Sequence, residues 1–182
     1  MTDWDEYEIL EQVNRGEEAG LRALFERYYK PLCVYALKYV DSYSDAEDLV
    51  QELFVKFWEL KGNIGFQGSL QSYLFLSLRN NCMRWVKTHK KYQFEVIDNY
   101  SDAFEYHLNE EDDEDRAKLY EEIEKLPDQC KKVFKAIVFD DLKYKEAAAR
   151  LNLSVNTVKT HFARALKQLR SSLDVIVLLL LR

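Results

Sequence analysis

Asn156, Thr157, Lys159, Thr160, His161 and Arg164 stand close together in a candidate helix. Their amide, hydroxyl, imidazole and cationic groups can bond to base edges and neutralise phosphate. They crowd the N-terminal half of that helix, the end that a recognition helix presents to the major groove. Asn80, Arg84, Lys87 and Lys91 recur at spacings of four, three and four residues. Their cations suit phosphate and their amide suits a base edge, while Trp85 and Tyr92 lie close enough to stack on an unpaired base. Asp48, Gln51 and Glu52, with Val55 and Glu59, form an acidic, amide-bearing stripe that by itself reads as a solvated helix face. None of these sets can do covalent catalysis. His89, His107 and His161 lack nucleophile or metal-ligand spacing, and no phosphate-binding glycine motif is present. Neither an enzyme nor a cofactor is expected, and His161 reads as a surface histidine near phosphate.

The elements that must position these groups can be read from apolar spacing. Tyr144 to His161 has the pattern of a helix-turn-helix. Ala147 and Ala148 allow close helix approach, Asn152 can take the left-handed turn conformation, Ser154 caps the second helix, and Val155 and Val158 face inward. A plain helical hairpin is the competing reading. Before it, Leu119, Ile123 and Leu126 mark a short helix, Pro127 the first residue of the next, and Val133, Phe134, Ile137 and Val138 its apolar side. In the N-terminal half, Ser44 to Glu47 forms a capping box ahead of Ala46, Leu49, Val50, Leu53, Phe57 and Leu60 on one helix face. Upstream, Leu21, Leu24, Phe25, Tyr28, Leu32, Tyr35 and Ala36 predict a helix disturbed at Pro31. Three of the five glycines fall in the loop from Gly62 to Gly68. Ser69 then caps a helix reaching about Lys90, with Leu70, Leu74, Leu78, Cys82 and Val86 on its buried side.

Only 5 Gly and 2 Pro in 182 residues argue against a many-stranded or disordered chain. The expected class is all-α: two small helical domains joined by a flexible acidic linker, the second a helix-turn-helix. The net charge of -6 is unevenly distributed. Residues 1–60 carry 6 basic and 14 acidic side chains, 61–92 carry 6 and 0, 93–126 carry 3 and 13, and 127–182 carry 11 and 5. Two basic segments are thus separated by an acidic one, and basic surfaces select phosphate. Cys33, Cys82 and Cys130 are odd in number, widely spaced and without a C-x-x-C pair, as expected of thiols in a reducing compartment. The acidic start is unlike a secretory leader, and the apolar run from Val175 to Leu181 is far short of the ~20 residues a spanning helix needs. A cytoplasmic protein is expected.

In this order the pieces resemble the sigma-70 family of RNA polymerase sigma factors, in its small extracytoplasmic-function (ECF) form. The resemblance rests on Asp45-Ala46-Glu47-Asp48-Leu49-Val50-Gln51-Glu52, the glycine loop, the basic helix and the acidic linker, followed by Thr157-Val158-Lys159 and Ala163-Arg164-Ala165-Leu166. It implies a region 2-like domain over 1–92, a linker over 93–116 and a region 4-like domain over 117–182. Asp48, Gln51 and Glu52 then fall where the family docks on the beta-prime clamp of core polymerase. Phe66 and Gln67 in the glycine loop, with Asn80, Arg84, Lys87 and Lys91, fall where the -10 element is opened and a base is captured. Ser154, Asn156, Thr157, Lys159, Thr160, His161, Arg164 and Lys167 fall at the -35 element, beside the polymerase beta flap. The implied partners are core polymerase, promoter DNA and an inhibitory anti-sigma factor, with no small-molecule substrate. Asn152 stands where a glycine is frequent and His161 where many members have arginine; the stretch from Leu173 to Leu181 is outside the motif. The residues alone also admit a helix-turn-helix regulator that does not engage polymerase, or a helical interaction protein without DNA contact.

Overall fold

The computed structural model describes residues 4–61, 69–89 and 113–181, and among these no strand occurs. Phe66, Gln67, Lys91 and Tyr92 lie outside the described residues, as does residues 93–112 of the expected linker. The chain forms two compact units, one on its N-terminal helices and the other running from Glu110 to Ile176.

Helices α1 (Glu6–Asn14), α2 (Glu18–Ala36), α3 (Tyr43–Glu59) and α4 (Leu70–His89) build the first unit. Helix α1 has only Ile9 and Val13 as buried positions in an acidic run, so apolar spacing did not reveal it. A capping box starts it: Glu8 N–H donates to the Asp5 carboxylate at 2.8 Å, and Asp5 N–H donates back to Glu8 at 2.9 Å. Gly20 lets α2 cross it closely, because a Cβ there would lie 2.6 Å from Gln12 Cβ. Glu6 ties three helices together. Its carboxylate accepts the Tyr28 hydroxyl of α2 at 2.7 Å and the Leu70 N–H at the start of α4 at 2.9 Å.

Helix α2 runs through Pro31 without the expected disturbance. The proline removes one ladder bond, but Tyr28 and every residue from Pro31 to Ala36 are buried, and that packing holds the helix. Phe25, expected on the apolar side, is 42% exposed and stacks on Tyr29 with centroids 4.2 Å apart. Helix α3 starts earlier than its expected capping box. Ser42, with extended backbone, is the N-cap and accepts from Asp45 N–H at 3.5 Å, while buried Tyr43 anchors the first turn. Ser44 is inside the helix, and Leu60, past its end, is 47% exposed. Helix α4 matches its reading: Ser69 Oγ accepts from Ser72 N–H at 3.0 Å, and Leu70, Leu74, Leu78, Cys82 and Val86 are buried.

The second unit begins with α5 (Asp113–Glu124), which starts within the last residues of the expected linker. Leu119, Ile123 and Leu126 are buried. Pro127 is the N-cap of α6 (Asp128–Phe134), one position earlier than expected, with its carbonyl accepting from Lys131 N–H at 2.9 Å. The helix then widens into a π-turn over Lys135–Phe139, closed by Asp140 N–H donating to the Lys135 carbonyl at 3.0 Å. Ala136, Ile137 and Val138 are all fully buried there, a consecutive run that one face of a regular helix does not hold. Helices α7 (Tyr144–Leu151) and α8 (Val155–Leu169) form the helix-turn-helix, followed by a short 3-10 turn (Arg170–Ser172) and α9 (Leu173–Leu180). Asn152 takes φ 53 and ψ 47, the left-handed conformation read for it. Ala147, Ala148 and Val158 are buried, whereas Val155 is half-buried. Phe162 seats α8 by stacking on Phe134 at 6.2 Å and meeting Tyr144 edge-on at 5.9 Å.

Candidate functional site

The amphipathic packing of α3 turns Ala46, Leu49, Val50, Leu53, Phe54 and Phe57 inward and leaves Asp48, Gln51, Glu52, Val55 and Glu59 exposed. Val55 is 58% exposed, an apolar centre in an acidic, amide-bearing strip. Glu52 pairs with Lys56 one turn on. Glu47, at the strip's edge, accepts the Tyr29 hydroxyl at 3.0 Å, and Gln51 also hydrogen-bonds to that phenol. Burial, the neighbouring Cys33 and Glu47 hold Tyr29 above its usual range, so the phenol remains a donor. The strip is therefore braced from α2 by an aromatic side chain that spacing along α3 could not reveal.

Where α3 faces α4, the two helices line an open-sided cavity of about 260 Å³. Leu53, Phe57 and Leu60 form its apolar part. Lys56, Tyr73, Ser77, Asn80, Asn81 and Arg84 supply its polar groups. Of these, Asn80 and Arg84 were legible as members of the basic stripe. Asn81 is a buried polar side chain whose Oδ1 accepts from Arg84, so it orients the guanidinium. Lys56, Tyr73, Ser77 and Asn81 escaped the sequence reading because they converge from two helices. Lys56 carries the one early signal, its position four residues after Glu52. Lys87 is exposed one turn beyond Arg84. Trp85 is half-buried and stacked on His89 with centroids 4.4 Å apart and planes 11° from parallel, so it is neither core nor a bare platform.

On α8 the Ser154 hydroxyl accepts from Thr157 N–H at 3.1 Å and lies 2.7 Å from the Thr157 hydroxyl. Asn156, Lys159, Thr160, Arg164 and Lys167 are exposed, and Thr157 is half-buried against the cap. Lys159 Nζ sits 5.7 Å from the Tyr144 ring centroid, and the Thr160 hydroxyl donates to the Asn156 carbonyl at 2.9 Å. His161, read as an outward group, also has a partner within the fold. It is half-buried, and its Nδ1 lies 3.5 Å from Cys130 Sγ on α6. Its position on α8 faces the packed α6 as much as solvent, which a helical wheel of α8 alone does not show. No cluster of histidine, cysteine or carboxylate able to hold a metal occurs among the described residues. None of the described helices is long and apolar enough to cross a membrane.

Residues 24–92 match the family model of Sigma-70 region 2, and residues 116–169 match that of Sigma-70 region 4. The chain is 30% identical over 141 residues to RNA polymerase sigma factor SigV of Bacillus subtilis, covering 76% of this chain and 81% of that protein. It belongs to the sigma-70 family. The same bacterium's sigma factor YlaC is 28% identical over 163 residues, covering 85% of this chain and 92% of the relative. The ECF sigma-E factor of Escherichia coli is 26% identical over 172 residues, covering 86% and 88%. The chain is thus a sigma factor of ECF type, which binds core RNA polymerase and directs promoter recognition and transcription initiation. The region 2 match covers α2, α3 and α4, which hold the acidic strip and the cavity; the region 4 match covers the helix-turn-helix.

Proposed function

We propose a division of labour among the three surfaces of this sigma factor. The strip of Asp48, Gln51 and Glu52 docks on the polymerase beta-prime clamp. The cavity between α3 and α4 receives one base extruded from the -10 element, and Phe66 and Gln67 take part in binding that element. Asn80, Arg84, Lys87 and Lys91 follow the adjoining single strand. On α8, Ser154, Asn156, Thr157, Lys159, Thr160, His161, Arg164 and Lys167 read the -35 duplex beside the beta flap. The acidic residues of 93–116 occupy a path in polymerase otherwise used by nucleic acid. The protein works in the cytoplasm and catalyses no bond change. Unstacking a base costs a few kcal/mol, offset when the base is held in a pocket.

The observation that carries this reading is the two-sided construction of α3. One face offers carboxylates and an exposed valine to a protein partner, and the other contributes Lys56, Leu53 and Phe57 to a polar-lined cavity. That cavity, about 260 Å³, is below the ~300–1,000 Å³ of sites for drug-sized ligands and suits a single base. Run-off transcription with core polymerase, paired with polymerase pull-down, tests it. Asp48→Ala combined with Gln51→Ala should abolish polymerase capture and leave thermal unfolding unchanged, while Asn80→Ala should retain capture and lose open-complex formation. Unaltered capture by the double variant overturns the docking assignment; unaltered opening by Asn80→Ala overturns the pocket assignment.

A further inference from the structure

The Cys130 and His161 contact is the feature that family membership and surface chemistry leave unexplained. Cys130 is 3% exposed on α6, and His161 is on α8, the helix bearing the proposed -35 contacts. Their Sγ and Nδ1 atoms are 3.5 Å apart. The thiol is a weak donor and a weak acceptor, so the bond can run either way; its favourable form for a neutral imidazole acceptor runs from the Cys130 S–H to an unprotonated Nδ1. A neutral imidazole has one N–H; occupation of Nδ1 as acceptor puts the proton on Nε2. Nε2 makes no hydrogen bond among the described residues and is not among the buried unpartnered atoms. It therefore keeps contact with solvent, and the exposed helix neighbour of His161 is Arg164, one turn on.

We propose that Cys130 is a positioning residue for promoter recognition: it fixes the tautomer and ring orientation of His161, which then offers Nε2–H as a single outward donor to an acceptor on the -35 duplex. This rests on the assignment of α8 to the -35 element and adds the chemistry of one contact. A donor with no acceptor capacity discriminates among base edges. Guanine offers N7 and O6 in the major groove, whereas the cytosine edge offers the N4 donor and repels a second donor. The partner is a base-edge acceptor, guanine N7 or O6, adenine N7 or thymine O4, and not the cytosine edge. A phosphate oxygen has the same acceptor chemistry, and the two separate experimentally because a base contact changes sequence preference while a phosphate contact weakens all sequences alike.

The test uses the full chain and its holoenzyme. Imidazole nitrogen NMR of the free chain, followed across pH until His161 is neutral, reports which nitrogen carries the proton. The parent should show a protonated Nε2 and an acceptor Nδ1. Cys130→Ala should lose that single-tautomer signature, and Cys130→Ser, which keeps an O–H donor, should restore it. Holoenzyme binding to a library randomised across the -35 element should then show one position where the parent disfavours cytosine. There Cys130→Ala and His161→Ala should lose about fivefold discrimination, the worth of one hydrogen bond, and Cys130→Ser should retain it. A parent His161 protonated on Nδ1, or a base preference indifferent to both alanine substitutions, overturns the proposal. A uniform loss across the library assigns the donor to phosphate and overturns the base-edge contact. Failure of the parent holoenzyme to initiate overturns the -35 assignment itself and is seen separately in run-off transcription.

Discussion

A single carboxylate at a helix junction and a buried thiol set how firmly the first unit of this sigma factor is held. Glu6 accepts from Tyr28 and from the first N–H of α4, the helix carrying Asn80 and Arg84. Glu6→Ala leaves both donors without their acceptor, which should cost about 1–3 kcal/mol, and Glu6→Gln should recover part of the loss. Denaturant midpoints of the three proteins check this. Alkaline stability provides an independent measurement. Burial pushes the Cys82 thiol from 9.0 up to about 12, and burial with the Glu6 hydrogen bond pushes the Tyr28 phenol above its usual 10.0. Both groups ionise at lower pH in the unfolded chain, which then binds fewer protons than the folded one. Stability is therefore fully present below about pH 9 and falls as pH rises toward 12, by about 1.4 kcal/mol per unit for each group in its window. Cys82→Ala should flatten the first part of that fall, measured as unfolding free energy against pH.

The turn between α7 and α8 rests on a residue that pays no penalty for its backbone only if its side chain tolerates φ 53. Asn152→Gly should be neutral or slightly stabilising, whereas Asn152→Val should destabilise the second unit by about 1–2 kcal/mol and weaken -35 binding with it. Thermal unfolding of the two variants decides. This turn also shows what a sequence makes legible. Asn152, the Ser154 cap and the buried Ala147 and Val158 are local signals, each visible within a few residues of chain. The same holds for the buried stripe of α4 and the exposed strip of α3. What stayed hidden depends on tertiary partners: the short α1 held by Glu6, the continuity of α2 through Pro31, and the π-turn that buries Ala136, Ile137 and Val138 together. The cavity was half legible for the same reason. Asn80 and Arg84 share one helix face, but Lys56 meets them only because α3 packs on α4. The contact of His161 with Cys130 was hidden because the two are 31 residues apart in sequence.

For the whole molecule, the decisive quantity is the separation of charge along the chain. The basic windows 61–92 and 127–182 carry 17 cationic side chains between them, yet residues 1–60 and 93–126 carry 27 acidic ones. At about 0.1 M salt the Debye length is about 10 Å, so the acidic segments oppose DNA only where they come within about that distance of it, and more strongly at lower salt. On the proposed docking, the acidic strip faces polymerase in the holoenzyme, which removes its repulsion of DNA. The free chain should therefore retain promoter DNA poorly at a salt concentration where the holoenzyme binds it well. Each cation engaged with phosphate in the holoenzyme contributes about 0.9 to the slope of log affinity against log salt. Lys159→Ala and Arg164→Ala should each lower that slope by about 0.9 if they touch phosphate, and leave it unchanged while relaxing base preference if they touch a base edge. Titration of a promoter fragment with holoenzyme across four or so salt concentrations, repeated with the free chain, gives both answers. Equal affinity of free chain and holoenzyme would show that the acidic segments do not restrain the basic ones, and that polymerase contributes nothing electrostatic to promoter capture.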